Sequence, residues 1–261
     1  MYEYTVGAIV LRKIRLNEYK KLKRKKLIPV IIITIFLVAV GIIIGHRLYE
    51  NNRYEDILSQ MEYIDNDSQN KRLLIDFSYL SKINSDIYSW IDIPGSSISY
   101  PVLQREDGDD EYYLNHNLDK TLGYPGVIYS HSVNKKDYSD RVTILYGHNM
   151  RNGSMFGELQ RYKDTEYFDS HQDIYIHTKG EVKHYKVFAA LTHDDSYIVS
   201  YYNGFKNESD ILAFYSDSMS NAINKNHSYD VNADSKILVL STCEKDDTER
   251  FLLEAVLVDF I

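Results

Sequence analysis

Apolar positions along this chain fall into three regimes. From Leu27 to Gly45 they are almost continuous, LIPVIIITIFLVAVGIIIG, with no charged residue. As a helix the run measures about 28 Å, close to the hydrocarbon thickness of a bilayer. Fourteen of its residues are Ile, Leu, Val or Phe, and each favours insertion by roughly 0.3–0.6 kcal/mol at a helix centre. The pattern predicts a transmembrane helix over 27–45 with Pro29 in its first turn, where a missing N–H costs little. In the second regime, 47–65, Leu48, Tyr54, Ile57, Leu58 and Met61 recur at helical spacing. After a polar break at 66–70, a short helix over 73–82 places Phe77 and Leu80 on one face.

From Ile87 the apolar period shortens. Eight β-type runs separated by turn signals follow: 90–93, 98–103, 127–130, 142–146, 174–177, 184–191, 237–240 and 251–258. Gly180 with Lys179 and Glu181 predicts a hairpin turn. Two helical stretches interrupt the series, 154–162 and 209–223, the second carrying Ile211, Leu212, Tyr215, Met219 and Ile223 every three or four residues. Many short strands of this kind predict a barrel or sandwich, and the 24 tyrosines suit half-buried pleated faces.

Charge changes the picture at the amino end. The net charge is -8, yet residues 1–26 carry nine Lys or Arg against Glu3 and Glu18. Next to a membrane helix such a cluster reads by the positive-inside rule rather than as a nucleic-acid site. It puts the amino terminus in the cytoplasm and everything after His46 outside. No small-x-small cleavage site follows the apolar run, where GHRLYENN is bulky and polar, so an uncleaved anchor is expected. The organisation expected is a basic cytoplasmic segment at 1–26, a membrane helix at 27–45, stalk and packing helices at 46–86, and a catalytic β-barrel at 87–261.

The chain has a single cysteine, Cys243, and an extracytoplasmic domain with one cysteine builds no internal disulfide. Cys243 is therefore either a small buried hydrophobe or a reactive thiol. It ends an apolar strand, and Arg250, seven positions on, opens the next, so a nucleophile and a fixed cation fall on neighbouring strands. A thiol needs a proton acceptor or an imidazolium beside it. Among nine histidines, His148 stands at a clean strand end, in ILYGHNM. His171, His177 and His184 lie in polar or alternating segments and read as solvated. His46 flanks the membrane run; His116, His131, His193 and His227 stay undecided. The spacings contain no His-x-x-x-His or Cys-x-x-Cys pair and no Gly-x-Ser-x-Gly elbow, so no metal, no cofactor and no serine mechanism are expected.

Five segments together carry a resemblance: WIDIPGSSISYPVLQ (90–104), YYLNHN (112–117), ILYGHNMRNGSMFGEL (144–159), YFDSHQDI (167–174) and LSTCEKDDTER (240–250). In order, spacing and identity they resemble the sortases, most closely class B, from about Ile87 to the last residue. The resemblance implies a mainly β fold, a closed eight-stranded sortase-type barrel with amino-terminal helices and a helical insertion, preceded by one transmembrane helix. It also implies a membrane-anchored cysteine transpeptidase on the outer face of a Gram-positive cell. Cys243 would attack the carbonyl after a Thr in the carboxyl-terminal sorting signal of a secreted protein, giving a thioacyl enzyme. A peptidoglycan cross-bridge or pilin amine would resolve it. His148 would move the protons, while Arg250 and the backbone N–H of Glu244 would hold the carbonyl oxygen. Leu114, Tyr146, Tyr197, Ile198 and Ser241 match positions that line the peptide groove. The chain departs from the class in a short Cys243–Arg250 interval, in Asp110 where Asn is common, and in His131 where Asp is frequent. The alternatives are a secreted thiol hydrolase that gives the acyl group to water, and a non-enzymatic wall-binding module.

Overall fold

A computed structural model describes residues 3–59, 62–65, 71–194, 208–229, 231–243 and 248–261. The chain divides into two compact units, residues 1–60 and 61–261. The first is one helix, α1 (Glu3–Ser59). No break separates the membrane run from the segment after it, because no Gly or Pro follows Gly45 before Ser59 and the helix, once nucleated, propagates. Pro29 accordingly lies inside the helix, where it removes one backbone hydrogen bond, rather than in a first turn. Residues Lys23–His46 form a stretch long and apolar enough to cross a membrane. Ile35, Phe36 and Ile42 are each more than 60% exposed, which suits hydrocarbon rather than water.

In the second unit, β1 (Glu62–Asp65) pairs antiparallel with β2 (Lys71–Leu74). β1 replaces the end of the helix expected over 47–65 and β2 takes the first two residues of the one expected over 73–82, so the packing helix α2 (Phe77–Ile83) starts later than its apolar spacing predicts. Its start is fixed by Asp76, whose carboxylate accepts hydrogen bonds from the Ser78 and Tyr79 N–H groups.

The barrel strands follow: β3 (Ile87–Asp92), β4 (Ser99–Leu103), β5 (Ile128–Tyr129), β6 (Val142–Tyr146), β7 (Asp173–Thr178), β8 (Glu181–Asp194), β9 (Asn224–Lys225), β10 (Ile237–Cys243) and β11 (Glu249–Phe260). The order around the sheet is β11-β10-β6-β5-β4-β3-β7-β8, and β8 pairs back onto β11 to close eight strands, with the short β9 attached to β8. All eight predicted runs are strands of this barrel, and β6 matches its predicted span. Strand β8 is longer than its apolar run because its far half closes the barrel against β11. The hairpin at 178–181 joins β7 to β8 with Gly180 at φ +113°, a conformation that favours glycine. The predicted helix at 154–162 is instead a 3-10 turn, Gly157–Lys163, followed by α3 (Thr165–Ser170), which Asp164 caps. The second interruption is the helix α4 (Glu208–Asn221).

Of the three histidines expected in water, His177 is buried. His184 pairs with Asp173 at 2.6 Å, and His171 stacks on Tyr167 at 3.9 Å between ring centres. His177 lies opposite Trp90 of the distant first barrel strand, His184 pairs across its own hairpin and His171 stacks on the helix it follows, contacts that local polarity does not reveal.

One pairing positions the site. Strands β6 and β10 run parallel, with Val142 opposite Ile237 and Tyr146 opposite Ser241. Parallel neighbours end at the same rim, so the residues leaving β6 and β10 emerge side by side. On the outer face of these strands, Val142, Ile144, Ile237, Val239, Leu252 and Val256 pack under Ile211, Phe214 and Met219 of α4.

Glu254 lies within that apolar layer, opposite Val239 on one side and Ala189 on the other. It is fully buried, and neither carboxylate oxygen has a hydrogen-bond partner among the described residues. The buried Ser218 hydroxyl of α4 faces it closely enough to oppose part of the shift, without completing a hydrogen bond. Burial is the main cause that pushes this carboxyl from its ordinary 4.5 up to about 8, and Asp217 adds to the push. Glu254 is therefore neutral at pH 7 in the folded protein and ionised in the unfolded chain. The stability held by the protonated form is complete below about pH 4.5 and lost as pH rises through about 8. Across that window this group costs up to about 1.4 kcal/mol per pH unit. Urea midpoints at pH 5 and pH 8 should fall more steeply for the wild type than for Glu254→Gln; equal declines would remove Glu254 as the cause.

Candidate active site

Cys243 is the last residue of β10 and Arg250 the second of β11, and the two are directly opposite in the antiparallel ladder. Opposed residues share a face, so the flexible arginine chain need only bend along the strand to reach the thiol. Its Nη1 donates to Cys243 Sγ at 2.7 Å. A guanidinium at this distance favours the thiolate over the thiol.

His148 leaves β6 two residues beyond Tyr146, just as Cys243 stands two beyond Ser241. The Gly147 N–H donates to the Ser241 carbonyl at 3.1 Å, continuing the ladder past the strand. One step further, Asn149 Nδ2 donates to the Cys243 carbonyl at 2.7 Å, clasping the two strand ends together. His148 Nε2 lies 2.6 Å from the Leu114 carbonyl oxygen. A carbonyl only accepts, so Nε2 carries a hydrogen and Nδ1 is the nitrogen left to take or give a proton.

Two further groups fix that imidazole. The Tyr124 ring lies 4.9 Å from it between centres. Gly126, at φ +67°, approaches so closely that a Cβ would stand 2.9 Å from the Tyr113 oxygen, 3.0 Å from the Leu114 oxygen and 3.4 Å from His148 Cδ2. Gly126→Ala should therefore displace the carbonyl that orients His148. We expect roughly tenfold or greater loss of turnover, of the kind that misplacing a reacting group brings, with thiol alkylation retained. Unchanged turnover in a folded Gly126→Ala protein would remove the carbonyl from this role.

A wall of rings flanks the site on the β5 side. Tyr146 stacks on His131 at 4.4 Å and on Tyr129 at 5.5 Å. Burial pushes the Tyr129 phenol well above its ordinary range; Tyr146, Glu111 and Cys243 add to this and Arg250 opposes it. Burial likewise pushes the His131 imidazole down, against the pull of Asp110 and Glu111.

Of the residues singled out in the sequence, Cys243, Arg250, His148, Tyr146 and Ser241 thus meet at one rim. Ser241 is buried beside Tyr146, its hydroxyl without a partner among the described residues. Leu114 reaches the site through its backbone carbonyl. Tyr197, Ile198 and Glu244 lie outside the described residues. Tyr124, Gly126, Tyr129 and Asn149 escaped sequence reasoning; only Asn149, next to a strand-end histidine, left a signal to follow. Among the described residues no three His, Cys, Asp or Glu side chains gather as metal ligands.

Residues 91–258 match the family model described as the sortase domain. The chain belongs to the sortase family. It is 29% identical over 244 residues to sortase B of Listeria monocytogenes, covering 89% of this chain and 96% of that relative. Its fold is similar to the crystal structure of Bacillus anthracis sortase B in complex with AAEK1, with a TM-score of 0.66 and 30% identity over 81% of this chain and 98% of the other. It is also similar to a Staphylococcus aureus sortase B–substrate complex, with a TM-score of 0.62 and 27% identity over 70% of this chain and 84% of the other. This sortase is accordingly a cysteine transpeptidase of the sortase B type, and its closed barrel is the family's fold.

Proposed function

We propose that this sortase is anchored by α1 with its amino terminus in the cytoplasm, and that its barrel, 87–261, joins secreted proteins to a cell-surface amine. The basic segment at 1–26, the apolar helix at 27–45 and a spacer at 46–86 are consistent with that arrangement. The observation that carries the chemistry is the 2.7 Å contact between Arg250 and the sole thiol of the chain, at the rim from which His148 also emerges.

In this reading Cys243 Sγ, as thiolate, attacks the carbonyl carbon of the Thr in a carboxyl-terminal sorting signal. The π electrons pass to the oxygen, which becomes an oxyanion beside the Arg250 guanidinium and the Glu244 N–H. As the C–N bond breaks, His148 gives the Nδ1 proton to the departing amine, leaving a thioester on Cys243 and a neutral imidazole. A peptidoglycan cross-bridge or pilin amine then attacks the thioester and passes its proton to Nδ1. The new amide forms and the thiolate returns. Tyr146, Ser241, Leu114, Tyr197 and Ile198 are assigned to the groove that receives the signal.

A panel of fluorogenic sorting peptides, incubated with and without a primary amine, tests this reading. Amine-linked product that depends on the acceptor is the expected result. Cleavage that never yields such a product would point to a hydrolase instead, and no cleavage of any peptide would favour the wall-binding alternative.

A further inference from the structure

The polar row at the rim does not end at Arg250. On its other edge β11 pairs with β8, and the residue directly opposite Arg250 is His193. The register there is unbroken from Glu249 to Glu254, so His193, Arg250 and Cys243 share one face across three adjacent strands. The row behind them, Leu191, Leu252 and Ser241, is on that same face, while Thr192, Phe251 and Thr242 alternate to the other. Phe251 and Thr242 are fully or almost fully buried there. The histidine side chain is 23% exposed, and its Nδ1 lies 3.9 Å from Asp194 Oδ2 on its own strand.

An arginine side chain has about 2 kcal/mol of rotamer entropy, so holding its guanidinium at one sulfur needs confinement from the side. Directly opposed residues have Cβ atoms about 4.5–5.5 Å apart, and a planar imidazole is the kind of surface on which a guanidinium stacks.

We propose that His193 is a positioning residue that holds the Arg250 guanidinium against Cys243 from the strand on the far side. This rests on the reading that Arg250 serves the thiol. With His193 gone, the guanidinium spends less time at Sγ, and the thiolate loses part of its electrostatic support.

Alkylation by iodoacetamide tests this without knowledge of the sorting motif, since the chain has one cysteine and gives one adduct. The full-length protein in detergent micelles is alkylated across pH 5 to 10, and the apparent pKa and the rate at pH 7 are read by mass spectrometry. His193→Ala is expected to raise the apparent pKa by up to about one unit and to slow alkylation about three- to tenfold. His193→Gln, with a planar amide, is expected to recover most of the rate. In an Arg250→Lys background, His193→Ala is expected to add no further slowing, because the two act as a unit. His193→Thr, a residue suited to a strand, repeats the measurement if the alanine variant melts early. A wild-type rate in the His193 variants, or the same fold-slowing with and without Arg250, overturns the proposal. If Arg250→Ala itself alkylates like wild type, the reading of Arg250 has failed, and that outcome differs from either of the others.

Discussion

Cys243→Ala is expected to lose acyl transfer altogether, by at least about ten-thousandfold, while the protein folds as before. The loss is this large because nothing replaces the nucleophile. Cys243 is the sole thiol, and the nearby hydroxyls of Ser241 and Thr242 are buried. A hydroxyl is also a far weaker nucleophile than a thiolate without a dedicated base, and removing one member of a nucleophile and base unit costs nearly the whole of what the unit supplies. The fold should tolerate the change. Cys243 is only partly buried, and removing the hydrogen bond that its sulfur accepts from Arg250 costs about 1 kcal/mol of stability. Steady-state turnover of a sorting peptide, read beside a thermal melt, checks both halves. Retained turnover with a normal melt would assign the reaction to another group.

Arg250→Ala is expected to lower kcat by about 10²–10³, the usual effect of removing one donor that meets a developing oxyanion, with a smaller change in KM. Arg250→Lys should recover only part of it. Lysine offers a compact, strongly hydrated charge on a flexible stem, whereas arginine presents a planar fork and here reaches along the ladder to Sγ at 2.7 Å. A loss confined to KM would mean that Arg250 only binds the signal, and full activity in the lysine variant would mean that charge alone suffices.

Much of the barrel was legible because its strands alternate and end on turn signals. Val142–Tyr146 could be read to the residue, since its apolar run is bounded by the charged pair Asp140 and Arg141 on one side and by Gly147 on the other. The extra length of Glu181–Asp194 could not, because it comes from pairing with β11 some sixty residues away, and closure leaves no mark in a single strand's composition. The same limit explains β1 and β2, whose short charged runs become strands only by pairing with each other.

The site divides along the same line. Cys243, His148 and Arg250 stand at strand ends, a position visible in the sequence, and the parallel register of β6 and β10 turns those ends into one rim. The groups that orient them are invisible beforehand. Leu114 contributes a carbonyl from a 3-10 turn, Gly126 contributes room, Tyr124 a ring, and Asn149 a clasp across two strands. Each depends on chain segments meeting at distances that no local pattern encodes. His131 is similar: its departure from the class could be noticed in the sequence, but its stacking on Tyr146 comes from the meeting of β5 with β6.

The most direct measurement is the intact mass of the full-length protein after brief incubation with the peptide panel. A thioacyl enzyme predicts a mass gain equal to the peptide up to and including its Thr, carried by Cys243 and discharged when a primary amine is added. Cleavage of a peptide with no such gain, or the same gain in Cys243→Ala, would contradict it.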